Sequence, residues 1–152
     1  MKLEEAIKST KFKNEVHKAS INILYTAWWF KTSACTILKE FGLTHEQYNV
    51  LRILKGKHPN EICVKDIACR MIEKNSNVPR IIDRLEEKKL VTRSQGAIDA
   101  RQTVIQLTQT GIEILASSTI KMTQMLGDTI TLSNEEAVTL NNLLEKVRQK
   151  EI

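Results

Sequence analysis

Between residues 12 and 41 the apolar side chains keep two helical stripes at once, and this limits the fold more than any other feature. Ile23, Ala27, Phe30, Ala34, Ile37 and Phe41 advance by alternating steps of four and three, the spacing of one helix face. Ile21, Leu24, Trp28, Cys35 and Leu38 run beside them. Together they form a face too wide for a helix resting on one partner, so cover is expected from two sides. One cover would come from the same subunit and the other from a second copy. Gly42 is placed to stop the helix. With only 2 Pro and 5 Gly in 152 residues, the rest of the chain also favours helices, in one domain or one subunit of an intertwined dimer.

Downstream, Thr44 and Gln47 form a capping box opening a helix with Tyr48, Val50, Leu51, Ile53 and Leu54. The loop Lys55 to Glu61 ends it. A short helix, residues 64–71, should turn Val64, Ile67, Ala68 and Met71 inward. A second, roughly 76–89, follows after a tight polar turn. Val91-Thr92-Arg93 and Thr103-Val104-Ile105-Gln106-Leu107 are β-prone runs around a polar segment holding Gly96, the pattern of a hairpin. Two further capping boxes, Thr110 with Glu113 and Ser133 with Glu136, predict the last two helices. The fold expected is mostly α, an α+β winged helix-turn-helix with N- and C-terminal helices forming a dimer stem.

Helix 76–89 is two-faced. Val78, Ile81, Ile82 and Leu85 fall within an arc of about 100°, and Asn77, Arg80 and Arg84 within an opposed arc of roughly 60°. One side is core and the other can meet a ligand. Pro79 suits a first helical turn, where its missing N–H has no intrahelical partner. Asn75, Ser76 or Asn77 can cap the start. Such side chains can reach base edges, and Arg is the usual reader of guanine. Arg80 and Arg84, four apart, repel by roughly 0.2–0.5 kcal/mol in an isolated helix, a sign that a polyanion would reverse. The alternative is a solvated basic face, partly neutralised by Asp83, Glu86 and Glu87. The net charge of +5, from 23 basic and 18 acidic residues, permits an anionic partner without requiring one.

Three segments carry a family resemblance: LTHEQYNVLRIL, DIACRMIEKNSNVPRIIDRLEEKKLVTR and DARQTVIQLTQTGIEIL. They resemble the MarR family (multiple-antibiotic-resistance regulators) of bacterial transcription factors over about residues 43 to 115. The most specific piece is Asp99-Ala100-Arg101, followed by Ile105-Gln106-Leu107-Thr108 and Gly111. Ala100 stands where the family often has a second Arg, and Ile72 and Glu73 stand where stricter helix-turn-helix turns favour Gly. The resemblance implies that Asp99 braces a wing and Arg101 enters a minor groove. Lys65, Asn75, Ser76, Asn77, Arg80 and Arg84 complete the DNA contacts expected.

The resemblance further implies one subunit over residues 1–152. Residues 43–108 would read double-stranded DNA, and residues 1–41 and 109–152 would interlock two copies. Leu140, Leu143, Leu144 and Val147 are expected at that interface. A two-fold dimer reads a pseudo-palindrome with half-sites about one helical turn, ~34 Å, apart. Such proteins usually repress nearby genes and release DNA when a ligand or oxidant changes the spacing of the two heads.

A small aromatic or anionic effector would meet Tyr25, Trp29, Tyr48 and Arg52. As an alternative, the aromatics are core or dimer interface, as an aromatic stripe at helical spacing usually is, and Arg52 is solvent-facing. The scattered Cys35, Cys63 and Cys69 read as free thiols of a reducing compartment. A thiol-based redox sensor is one alternative function, and a winged helix for protein contact without its own operator is the other. His17, His45 and His58 share no motif, Cys63-x5-Cys69 lacks zinc-site spacing, and no phosphate loop or HExxH occurs. No enzyme activity, cofactor or metal is expected. Neither a secretory signal nor a membrane span is predicted, so a cytoplasmic location is expected.

Overall fold

A computed structural model describes residues 1–96 and 101–149. Their order is α1 (Leu3–Ile7), α2 (Glu15–Lys39), α3 (His45–Lys55), β1 (Ile62–Cys63), α4 (Val64–Arg70), α5 (Val78–Glu87), β2 (Val91–Gln95), β3 (Thr103–Leu107), α6 (Gln109–Thr129) and α7 (Asn134–Val147). The three strands form one antiparallel sheet in the order β1-β3-β2. Val91 pairs with Leu107 and Gln95 with Thr103 across the hairpin. On the other side of β3, Ile62 pairs with Ile105. This is a winged helix-turn-helix, with α4 and α5 as the two short helices and β2–β3 as the wing.

The helix ends follow local chemistry. Asn14 accepts the His17 backbone N–H at the start of α2. Thr44 and Gln47 make the expected reciprocal box at α3, and Ser133 and Glu136 make theirs at α7. Behind α2, Gly42 takes φ 65°, while Leu43 N–H returns to Leu38 O at 3.0 Å, satisfying a terminal carbonyl. Behind α5 the same closure uses Lys89 at φ 58°, with Leu90 N–H on Leu85 O at 2.9 Å.

The core joins the two short helices and the wing to α2 and α3. Leu38 of α2, Leu51 of α3, Ile67 of α4, Ile82 and Leu85 of α5, Val91 of β2 and Ile105 of β3 are all fully buried. Burying Val78, Ile82 and Leu85 of α5 contributes roughly 1.5–3 kcal/mol each. Exposed ion pairs contribute ~0–1 kcal/mol. Apolar packing therefore holds α5 in place, and polar contacts can only adjust how it sits.

Some expectations change. Helix α6 is capped by Thr108, whose side chain accepts from Gly111 N–H, rather than by Thr110. Glu113, the supposed box partner, instead accepts from Gln109 Nε2 at 2.8 Å. Ala68, expected inward, is exposed with Cys69, because α4 is only seven residues long and turns a narrow stripe inward. Strand β1 and helix α1 are additions to the expected order. Among the described residues no helix is long and apolar enough to cross a membrane.

The wide face of α2 divides along its length. Ala34 and Leu38 are buried, whereas Leu24 and Trp28 are 71% and 59% exposed. Helix α7 buries no side chain within the described subunit. Its Leu140, Leu143 and Val147 are exposed, and Leu144 is half-buried.

Candidate nucleic-acid interface

The site begins with the capped start of α5. The Asn77 side chain accepts the Arg80 backbone N–H at 3.2 Å, and Pro79 occupies the first turn. Ser76 donates its hydroxyl to Glu73 O at 2.8 Å. With Val78, Ile82 and Leu85 turned into the core, the opposite arc must face out. Arg80 and Arg84 are accordingly exposed.

Asn75, Ser76, Asn77, Arg80 and Arg84 line one concavity of about 430 Å³, whose other wall is Thr44, Glu46 and Gln47 at the start of α3. The α3 wall was not anticipated in this role. Its signal was the Thr44 capping box, which marks a helix N-terminus, a place that favours anions. Arg84 Nη1 donates to Glu87 Oε2 at 2.8 Å, and that bond is the largest cause raising its pKa further. The pair is largely exposed and therefore weak enough for Arg84 to exchange Glu87 for a phosphate.

The wing is braced from α5. Arg93 of β2 pairs with Asp83 at 2.5 Å and with Glu86 at 3.4 Å, so two of the acids flanking the outer arc are engaged by the wing. Arg101 is exposed just before β3, and Asp99 lies outside the described residues. Lys65 stands apart, in a cleft between α4 and the wing that Cys63, Asp66, Gln102 and Thr103 also line.

The four residues expected at an effector fall into smaller groups. Tyr48 is buried, its hydroxyl 3.2 Å from Thr119 Oγ1, and Arg52 donates to that hydroxyl at 3.3 Å. Tyr25 lies against Trp28 with ring centroids 5.5 Å apart. Trp29 is partly exposed. Cys35 and Cys63 are half-buried, Cys69 is exposed, and all three are free thiols.

A family model described as transcriptional regulator SarA/Rot matches residues 33–117. The HTH-type transcriptional regulator MgrA of Staphylococcus aureus is 28% identical over 111 residues, covering 73% of this chain and 74% of MgrA. The solved complex of S. aureus MepR with DNA superimposes with a TM-score of 0.71 at 29% identity, over 84% of this chain and 94% of MepR. AbsC, a MarR family transcriptional regulator from Streptomyces coelicolor, superimposes with a TM-score of 0.80 over 91% of this chain and 95% of its own. At 20% identity that last likeness is one of fold.

Proposed function

We propose how this chain works from one premise: it belongs to the SarA/Rot family of transcriptional regulators, built on the MarR-type winged helix-turn-helix. It is a sequence-specific DNA-binding regulator acting as a homodimer, and a repressor. The observation that carries this reading is the two-sidedness of α5. Its buried arc locks it into the core, and its outer arc places two arginines in one groove with the three small polar side chains that lead into it. That combination suits a helix laid in a major groove, with Arg reading guanine and Asn reading adenine. MepR, which shares 29% identity, has been solved with DNA, and this supports the same partner here.

In this reading residues 43–108 read the DNA, and residues 1–41 and 109–152 pair the subunits. The apolar side chains left exposed along α2 and α7 support that pairing, because monomers rarely leave such surface uncovered. Lys65 would contact phosphate, Asp99 would brace the wing, and Arg101 would enter the adjacent minor groove.

The test is a fluorescence-anisotropy titration with duplex from upstream of the protein's own gene, using scrambled competitor at low and moderate salt. Wild type should bind tightly, resist competitor and weaken steeply as salt rises. Arg101→Ala should lose most of that affinity while remaining dimeric. Unchanged affinity would remove the wing from the mechanism. If neither this duplex nor any selected from a random pool is preferred over scrambled DNA, the winged helix serves protein contact instead.

A further inference from the structure

The groove beside α5 contains a contradiction. A surface meant to receive a polyanion is lined by two carboxylates as well as by the arginines: Glu46 on the α3 wall and Glu73 in the turn before α5. Unneutralised, each would repel the ligand. Both are met by one lysine from outside the reading head: Lys31 of α2 lies 2.6 Å from Glu73 Oε1 and 3.5 Å from Glu46 Oε1. The Glu73 hydrogen bond is the largest cause raising the Lys31 pKa, so the ammonium stays charged. The His45 ring, 3.7 Å from the same Glu73 oxygen, stands on the α3 side.

Glu73 is well placed to transmit a position. Its backbone carbonyl accepts both the N–H of Ser76 at 3.1 Å and the hydroxyl of Ser76 at 2.8 Å. Ser76 O accepts Val78 N–H at 3.0 Å, and Asn77 caps the helix. A shift of Glu73 therefore moves the small polar residues at the start of α5. The far end of α5 is tied in the same manner. Lys88 donates to Gly42 O, just behind α2, and to Gln47 Oε1 at 2.9 Å.

We infer that Lys31 is a positioning residue for DNA recognition: it neutralises Glu73 and tethers the entry of α5 to the stem helix α2. The inference rests on the DNA-binding reading above. The pair is about two-fifths exposed on each side, so its loss should barely change global stability. Its effect falls on where the helix start sits.

The experiment uses the full-length dimer and a duplex selected by wild type from a random pool, with Lys31→Met, Glu73→Gln and the double variant. Simple charge repulsion predicts that Glu73→Gln binds more tightly, since an anion has left the groove. The tether predicts the opposite: about three- to tenfold weaker binding for each single variant. The double variant should be no worse than either single, as expected of one shared interaction. The salt slope should stay at the wild-type value for Lys31→Met, whereas loss of a direct phosphate contact would lower it by about 1. Glu73→Gln binding as well as wild type, or better, would overturn the inference.

Hydrogen exchange on DNA-free protein provides a readout independent of the ligand. The hydrogen-bonded amides of Ile72, Ser76, Val78 and Arg80 should exchange several-fold faster in Lys31→Met, with the melting temperature unchanged, and equal exchange would overturn the tether. If wild type prefers no duplex, the DNA reading fails, and the recognition half of the inference with it. Faster exchange would then still uphold the tether.

Discussion

Replacing Gly111 with Ala sets two rules of helix stability against each other. Gly111 lies in the first turn of α6, where Ala is ordinarily worth up to about 1 kcal/mol more than Gly. Here, however, a Cβ would lie 2.0 Å from the carbonyl oxygen of Leu90 and 3.0 Å from its carbon. That oxygen accepts the Thr108 N–H at 3.1 Å, and Thr108 also donates its hydroxyl to Lys89 O at 2.8 Å. Backbone on both sides must separate by about 1 Å to relieve the overlap, an overpacking that costs roughly 1–3 kcal/mol. Losing the Thr108–Leu90 bond adds about 1 kcal/mol. After the helix gain is subtracted, Gly111→Ala should destabilise by about 1–3 kcal/mol. For a chain of this size that lowers the melting midpoint by roughly 5 °C. Thermal melts followed by circular dichroism, at matched protein concentration, measure it. A variant that melts above wild type would refute the close approach of α6 to the segment leaving α5.

Two other perturbations test the site and the stem. Asn77→Ala removes the side-chain cap of α5 and should cost about 1 kcal/mol, read as a lower urea midpoint with an unchanged slope. Leu140→Asp combined with Leu144→Asp should yield monomers by light scattering that no longer bind a palindromic duplex, and a persistent dimer would place the interface elsewhere.

The local signals in the sequence were strong wherever one short motif settles one geometry. Thr44 with Gln47 and Ser133 with Glu136 start helices where they stand. Pro79 and Asn77 mark the first turn of α5, and the apolar arc of α5 is the buried one. Thr110 with Glu113 had the same pattern and lost. Gly111 must reach Leu90, and Thr108 is the residue that can both cap α6 and bond to Lys89. Strand β1 is two residues long, too short for any alternation to show. Its existence depends on β3 arriving from 41 positions away, Cys63 against Val104. The tether from Lys31 was hidden for the same reason. Glu73 lies 42 residues downstream, and nothing local to either residue tells a lone charge from half of a pair. The groove beside α5 was legible on the α5 side, where Asn, Ser and Arg cluster, but its α3 wall emerges only when two helices pack.

The bare surface of α7 has a kinetic consequence. A 14-residue helix with no buried side chain is close to the length at which isolated helices are marginal in water. In the proposed dimer its order depends on a second copy arriving, which makes the last step of folding bimolecular. Halving the amount of chain quarters the rate of that step. Freshly made subunits would wait longest to mature when they are scarcest, and control would lag behind synthesis during the first rounds of expression after dilution.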